Sequence, residues 1–138
     1  MKLSDFDFRV WDGKKYINNI KGGVYIHKIN DYIKCLKRNQ DCYDYEFELD
    51  DLDNSNLEIE LFTGLYDKKD KKVYENDIVK VKSLYDYFLA KISIHKEGTF
   101  YFEGKNGDYI GSLIYLVEDE GYTIEAIGNI HENAELLK

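Results

Sequence analysis

The sequence predicts a mainly β protein with a small α component, and three observations carry that reading. Apolar and polar residues alternate with a period of two in several stretches, which marks strands with one covered and one open face. Residues with high strand propensity are abundant, including thirteen tyrosines, while proline is absent altogether. Short Gly, Asn and Asp turn signals separate the alternating stretches.

At the start of the chain, Phe6, Phe8 and Val10 alternate with Asp7, Arg9 and Trp11. Asp12-Gly13 follows as a hairpin signal, with Lys15 to Ile17 as the return strand. A third strand is expected from Val24 to Ile29 after the Gly22-Gly23 bend. The spacing of Ile29, Tyr32, Ile33 and Leu36, behind Asn30 or Asp31 as N-cap, predicts a short helix between Asn30 and Arg38. Tyr43, Tyr45, Phe47 and Leu49 then form one strand face, opposite an outward acidic stripe of Asp44, Glu46, Glu48 and Asp50. Asp51 to Asn56 reads as a polar loop, and Leu57, Ile59 and Leu61 alternate against Glu58 and Glu60.

The clearest stretch is Leu61 to Val81: two short strands joined by a charged turn, feeding a third strand through an acidic bend. Thr63-Gly64 is a turn signal, and Val73, Ile78, Val79 and Val81 suit a half-buried sheet. Leu89 to His95 and Thr99 to Phe102 form a hairpin around Lys96-Glu97-Gly98, where Gly98 supplies a positive φ. Lys105 to Asp108 is a further turn, and Gly111 to Glu118 suits either a short helix or a strand. Tyr122 to Ile130 reads as the last strand, with Gly128 marking a bulge or a close backbone approach. Asn133 is placed to cap a final helical turn that carries Glu135 near its positive end.

The totals bound the function. A chain of 138 residues has the length of one domain with one core. Mean hydropathy of −0.55, with no run near the roughly 18 apolar residues that span a bilayer, argues against a membrane protein. The acidic, aromatic start MKLSDFDFRVWDG lacks the apolar run of a signal peptide, so a cytoplasmic location is expected. Cys35 and Cys42 fit neither a zinc-knuckle nor a redox spacing, so free thiols are expected. A net charge of −8 repels nucleic acid from the average surface. The tyrosines read either as half-buried strand residues or as amphipathic interface surface.

Three blocks carry a family resemblance: Phe8-Arg9-Val10-Trp11-Asp12; Phe62-Thr63-Gly64-Leu65-Tyr66-Asp67 running on to Val73-Tyr74-Glu75-Asn76-Asp77-Ile78-Val79; and Ile127-Gly128-Asn129-Ile130-His131-Glu132-Asn133-Ala134-Glu135-Leu136-Leu137. Together they resemble the YopX family of phage and prophage proteins, in order and across nearly the whole chain. Arg9, Trp11, Gly64, Asp77, Gly128, Asn129 and Asn133 are the motif positions expected to be structural. The family pattern has glycine where this chain has Asp70 and Asn76, and proline where it has Ala134. Asp and Asn tolerate left-handed turn geometry best after glycine, at a cost of up to about 1 kcal/mol each. The resemblance implies a single YopX-like unit over residues 1–138. Its strands and short helix would occupy about 1–60, and an SH3-like β-barrel about 61–138. It also implies a phage or prophage protein acting in a bacterial host cell, without an assigned activity.

No motif specifies a catalytic, cofactor or metal site. Asp50, Asp51 and Asp53, preceding Glu58 and Glu60, approach a calcium-loop pattern, but Asn56 replaces its glycine and Phe62 its bidentate glutamate. His27, His95 and His131 are scattered, and no serine or cysteine sits in a nucleophile-elbow context. Gly22-Gly23 lacks the lysine and helix start of a phosphate loop. The expected function is therefore non-catalytic binding to a host or phage protein, through Asp44, Glu46, Glu48, Glu58 and Glu60, with self-association as a further expectation. The alternative is nucleic-acid binding through the SH3-like barrel and the hairpin lysines Lys68, Lys69, Lys71 and Lys72, among which Asp67, Asp70, Glu75 and Asp77 are interspersed. A nucleotide-handling enzyme ranks third.

Overall fold

A computed structural model describes residues 1–17, 23–38, 49–51 and 56–138, with backbone alone for residues 38 and 49–51. The predicted strand Tyr43 to Leu49 up to its last residue, with its acidic residues Asp44, Glu46 and Glu48, as well as Gly22, Asp53 and Cys42, lies outside the described residues. The chain divides into two compact units, residues 1–8 with 60–138, and residues 9–59.

In the second of these, the end of β1 (Phe8–Trp11) turns at Asp12-Gly13 as the sequence predicts. Asp12 Oδ1 accepts from the backbone N–H groups of Lys14 and Lys15, both at 2.8 Å, and Trp11 bridges to Tyr16. Tyr16 meets the Trp11 ring edge-on at 5.0 Å and lies under the Arg9 guanidinium at 4.6 Å, so Arg9 and Trp11 both pack on one ring. β2 (Val24–Ile29) matches its expectation, but the helix expected after it is β3 (Tyr32–Arg38), paired antiparallel with β2 from Ile29↔Tyr32 to Val24↔Lys37. Asn30, read as an N-cap, adopts φ 49 and forms the hairpin corner instead. Asn suits either task, as an N-cap through its side-chain acceptor and at a corner through its tolerance of left-handed backbone, and the apolar spacing did not separate a helix from a strand. β4 (Leu49–Asp51) adds to the far side of β3.

The C-terminal unit begins with a 3₁₀ turn at Leu3–Asp5 and contains most of β5 (Glu58–Tyr66), which pairs with β6 (Lys72–Tyr74). Thr63-Gly64, expected as a turn, lies within β5 as a bulge between the Phe62↔Tyr74 and Tyr66↔Lys72 pairs. Gly64 takes φ +88, while Thr63 Oγ1 donates to the Val73 carbonyl at 2.8 Å and accepts from Leu65 N–H. The hydroxyl thus replaces a ladder bond that the bulge removes.

β7 (Asp77–Lys82), β8 (Tyr87–Ile94), β9 (Phe100–Glu103) and β10 (Tyr109–Ser112) form a meander, and β11 (Thr123–Asn129) returns beside β7. The sheet order is β10-β9-β8-β7-β11, and the sheet is open, with β10 and β11 as its edges, where a closed barrel was expected. Gly98 takes its expected positive φ in the β8–β9 turn. The ambiguous segment from Gly111 resolves into the end of β10 followed by a helical turn that includes a π-helical stretch, Tyr115–Asp119.

The core of this unit is Val73, Val79, Val81, Ala90, Ile92, Phe102, Leu113 and Ile124, all buried. Alternation places Val79 and Val81, Ala90 and Ile92, and Phe102 on the same sheet face. Burying Phe102, whose ring meets Phe88 edge-on at 6.0 Å, contributes about 1.5–3 kcal/mol.

A bulge does fall at Gly128, between the Ala126↔Val79 and Gly128↔Ile78 pairs. A Cβ there would lie 2.6 Å from Asn133 Oδ1, an atom already accepting from Asn129 N–H at 3.1 Å. Asn133 precedes the expected last helical turn, Ala134–Leu137, but its side chain reaches back to Asn129 and makes no hydrogen bond to that turn. Gly128→Ala is expected to cost about 1–3 kcal/mol by overpacking. Adding Asn133→Gly should recover part of that loss, so the pair's free energies, measured by urea denaturation, should be non-additive.

Candidate functional site

The polar groups of the C-terminal unit sort into an inward set and an outward set. Glu60, expected to face outward with Glu58, is fully buried, while Glu58 is exposed at the start of β5. One oxygen of Glu60, Oε2, accepts from Asn76 Nδ2 at 2.7 Å and lies 2.8 Å from His131 Nε2. The tautomer of the imidazole sets which of the two donates in this hydrogen bond.

Two turns deliver these partners. Asn76, in the β6–β7 bend, takes φ 68, and its N–H donates to Ile92 O at 2.8 Å while its carbonyl accepts from Ile130 N–H at 2.9 Å. Asn129 Oδ1 accepts from the N–H groups of His131 and Glu132, which fixes the turn that carries the imidazole. Asp77 Oδ2 accepts from Tyr74 N–H at 2.9 Å and closes the same bend. Sequence reasoning marked Asn129, Asp77 and Asn133 as structural, but gave no sign that Glu60 and His131, 71 positions apart, would meet.

A carboxylate orienting an imidazole is a component of nucleophile-activating triads. Here, however, the His131 and Glu60 side chains are only 13% and 1% exposed, so the pair is closed to a substrate-sized molecule. What it does is hold β5 against the turn after β11.

Asp67 is the second inward group. Its Oδ1 accepts from Lys69 and Lys71 N–H, both at 2.9 Å, and its Oδ2 from Ala126 N–H at 3.0 Å. Burial opposes the charge, but these backbone hydrogen bonds prevail and hold the carboxyl below its ordinary value. Lys68 N–H donates to Ile124 O at 2.9 Å, so the turn covers part of the outer edge of β11.

The outward set includes the hairpin lysines. Lys68 and Lys69 both reach Glu125, each at 3.0 Å, and their hydrogen bonds hold the Glu125 carboxyl down, as that carboxylate holds Lys69 up. Lys72 pairs with Asp7 at 2.8 Å and lies over the Phe62 ring, and Tyr74 donates its hydroxyl to the same Asp7 oxygen at 2.6 Å. Lys71 is exposed, and its N–H serves Asp67. Three of the four lysines are therefore paired with carboxylates, Lys68 and Lys69 sharing one, rather than arrayed as one basic patch.

Around the β10 edge, Tyr109, Ile110, Ile114 and Tyr115 are all exposed. His95 stacks on Tyr101 with ring centroids 4.1 Å apart, and Tyr109 lies 5.5 Å from Tyr101. Clefts of about 390 Å³ beside Tyr85 and Tyr122, and about 550 Å³ beside Phe88 and Ile110, open on this unit's surface. Neither is lined by Glu60 or His131.

These features define a small, mainly β protein with hydrogen-bonded buried carboxylates and several exposed tyrosines. The family model for YopX protein matches residues 7–138, and the chain belongs to the YopX family. Among solved structures it is similar to protein yopX from Bacillus subtilis, with a TM-score of 0.64 and 22% identity over 95% of this chain and 97% of that one. It is also similar to protein EF1440 from Enterococcus faecalis, with a TM-score of 0.57 and 24% identity over 96% and 98% of the two chains. Curated proteins give no match. The family's glycine positions at Asp70 and Asn76 are indeed left-handed here, with φ 60 and φ 68.

Variants at Asp67 and at the two left-handed corners separate these roles. Asp67→Asn should destabilise the protein by about 1–3 kcal/mol near neutrality, because one buried N–H loses its acceptor. A folded-state value below 3.8 stabilises above that pH and loses the contribution as pH falls through it. The gap between wild type and Asp67→Asn should therefore narrow below about pH 4, as measured by urea unfolding across pH. Asp70→Gly, at an exposed left-handed position, should leave stability unchanged to within about 1 kcal/mol. Asn76→Gly should lower it by about 1–3 kcal/mol, because the buried Glu60 oxygen loses a donor.

Proposed function

We propose that this protein is a non-catalytic binding protein, accessory to phage or prophage biology in a bacterial host, that acts by docking on another protein. The observation that supports this reading is the division between closed and open chemistry in the C-terminal unit. The Glu60–His131 pair, which has reactive potential, is 1% and 13% exposed, whereas Tyr85 is 96%, Tyr109 59% and Tyr115 52% exposed. Exposed tyrosines bring large contact area at low conformational cost, which is why they concentrate at protein interfaces. Glu58 adds an exposed carboxylate to the anionic surface, and a chain at −8 favours a basic partner face.

Nucleic-acid binding is the second reading. A meander with its last strand returning beside the first is the strand order of SH3-like folds, some of which bind nucleic acid, and this supports it. The pairing of Lys68, Lys69 and Lys72 with Glu125 and Asp7 weighs against it.

Immobilised protein exposed to a bacterial lysate, with and without an excess of nuclease, separates the two. The docking reading expects a defined protein retained in both conditions, and loss of that protein from a Tyr109→Ala, Tyr115→Ala variant of unchanged thermal stability. Retention that vanishes with nuclease, together with a gel shift at low salt that fades steeply as salt rises, would favour nucleic acid instead.

A further inference from the structure

β10 is an outer strand of the five-stranded sheet, bonded to β9 on one side, and no described strand pairs with its other side. An open strand edge presents backbone donors and acceptors at a fixed spacing and is a template for an added strand. The β10–β9 register slips between Tyr109↔Glu103 and Gly111↔Phe102, so Ile110 is the extra residue of a bulge. Bulges commonly re-aim a side chain. Ile110 lines the cleft of about 550 Å³, together with Phe88, Leu89 and Leu136, and Asp108 also lines it. Ile110 joins the open edge to this cleft, whose other apolar walls come from β8 and the last helical turn; main-chain bonds along an edge with a side chain in a pocket is the combination by which extended segments are recognised.

Charge selects the occupant. Asp108, Glu118 and Asp119 are exposed, and none has an ion-pair partner among the described residues. Glu118 and Asp119 belong to the helical turn that packs on β10, where Leu116 Cδ1 lies 2.7 Å from the position a Gly111 Cβ would take. Lys105 lines the cleft as the opposing charge, against these three carboxylates and Glu120, which accepts from the Tyr115 hydroxyl at 2.7 Å. Of the charged groups named on the β9–β10 turn and on the helical turn that packs on β10, four are carboxylates and one is a lysine. A second copy of a chain at −8 would bring like charge to this edge, so the complementary occupant is basic.

We infer that the β10 edge and its adjoining cleft bind an extended segment of a partner protein in which basic residues alternate with apolar ones. The apolar side chains enter between Ile110 and Leu136, and the basic ones face Asp108, Glu118 and Asp119. This rests on the docking function proposed above and names its surface and the chemistry of its partner.

The test uses the full chain and three fluorescein-labelled synthetic heptapeptides: a Lys/Arg–Val/Ile alternation, the Glu/Asp–Val/Ile counterpart, and the basic peptide with proline at alternate positions. Fluorescence anisotropy at physiological salt should show the basic peptide binding at least about tenfold tighter than the acidic one. The proline form should also lose about tenfold, because it has fewer N–H groups to pair. Amide hydrogen exchange should slow at Tyr109 to Ser112 when the basic peptide is bound. Asp108→Lys, Asp119→Lys should weaken it by about fivefold or more with unchanged thermal stability, and Ile110→Asp provides a second, independent lesion.

Equal affinity for the acidic peptide, undiminished binding of the proline form, or protection confined to other strands would overturn the inference. So would tighter binding of a poly-dT oligonucleotide than of the basic peptide. If the partner retained from lysate is held equally by the Asp108→Lys, Asp119→Lys variant, the edge is wrong and docking stands. If wild type retains no protein, docking itself fails.

Discussion

Asn76 is the point at which the strands of the C-terminal unit are tied together. Its N–H is bonded to Ile92 in β8, its carbonyl to Ile130 beyond β11, and its side-chain amide to the buried Glu60 in β5. All three depend on a left-handed backbone at φ 68, which turns the side chain inward while both main-chain groups point to neighbouring strands. Glycine would satisfy the turn but not the carboxylate, and aliphatic residues would satisfy neither. Asparagine, which tolerates this conformation and carries a donor, meets both requirements.

The same economy explains the inward carboxylates. A buried charge is tolerated only with several donors around it. Glu60 has an amide and an imidazole, and Asp67 has three backbone N–H groups from two distant parts of the chain. These arrangements fix the lysine-rich turn against β11 and the last turn against β5. Both groups are held inward by these bonds, while several tyrosines and the carboxylates of Asp108, Glu118 and Asp119 lie exposed on the outside.

Similarity to yopX of Bacillus subtilis and EF1440 of Enterococcus faecalis at 22% and 24% identity shows the fold. Within this chain, backbone and packing leave little latitude at the left-handed corners at Asp70 and Asn76, at the tight approach of Gly128 to Asn133, and around the alternating core valines.

Much of this architecture was legible in the sequence because it is local. Period-two alternation marked β1 and the start of β5, turn signals bounded β2, β8 and β9, and the Asp12-Gly13, Gly98 and Gly128 signals marked real turns or bulges, since backbone sterics act within a few residues. Local signals also failed where one residue type serves two geometries: Asn30 makes a hairpin corner rather than a helix cap, Thr63-Gly64 a bulge rather than a turn, and Asn133 bonds backward to Asn129. Tertiary structure alone decided that Glu60 is buried against His131 while Glu58 is exposed, and that the sheet remains open with β10 at its edge. Those outcomes depend on which distant groups arrive to solvate a charge or extend a ladder, and a one-dimensional pattern of polarity does not encode that arrival.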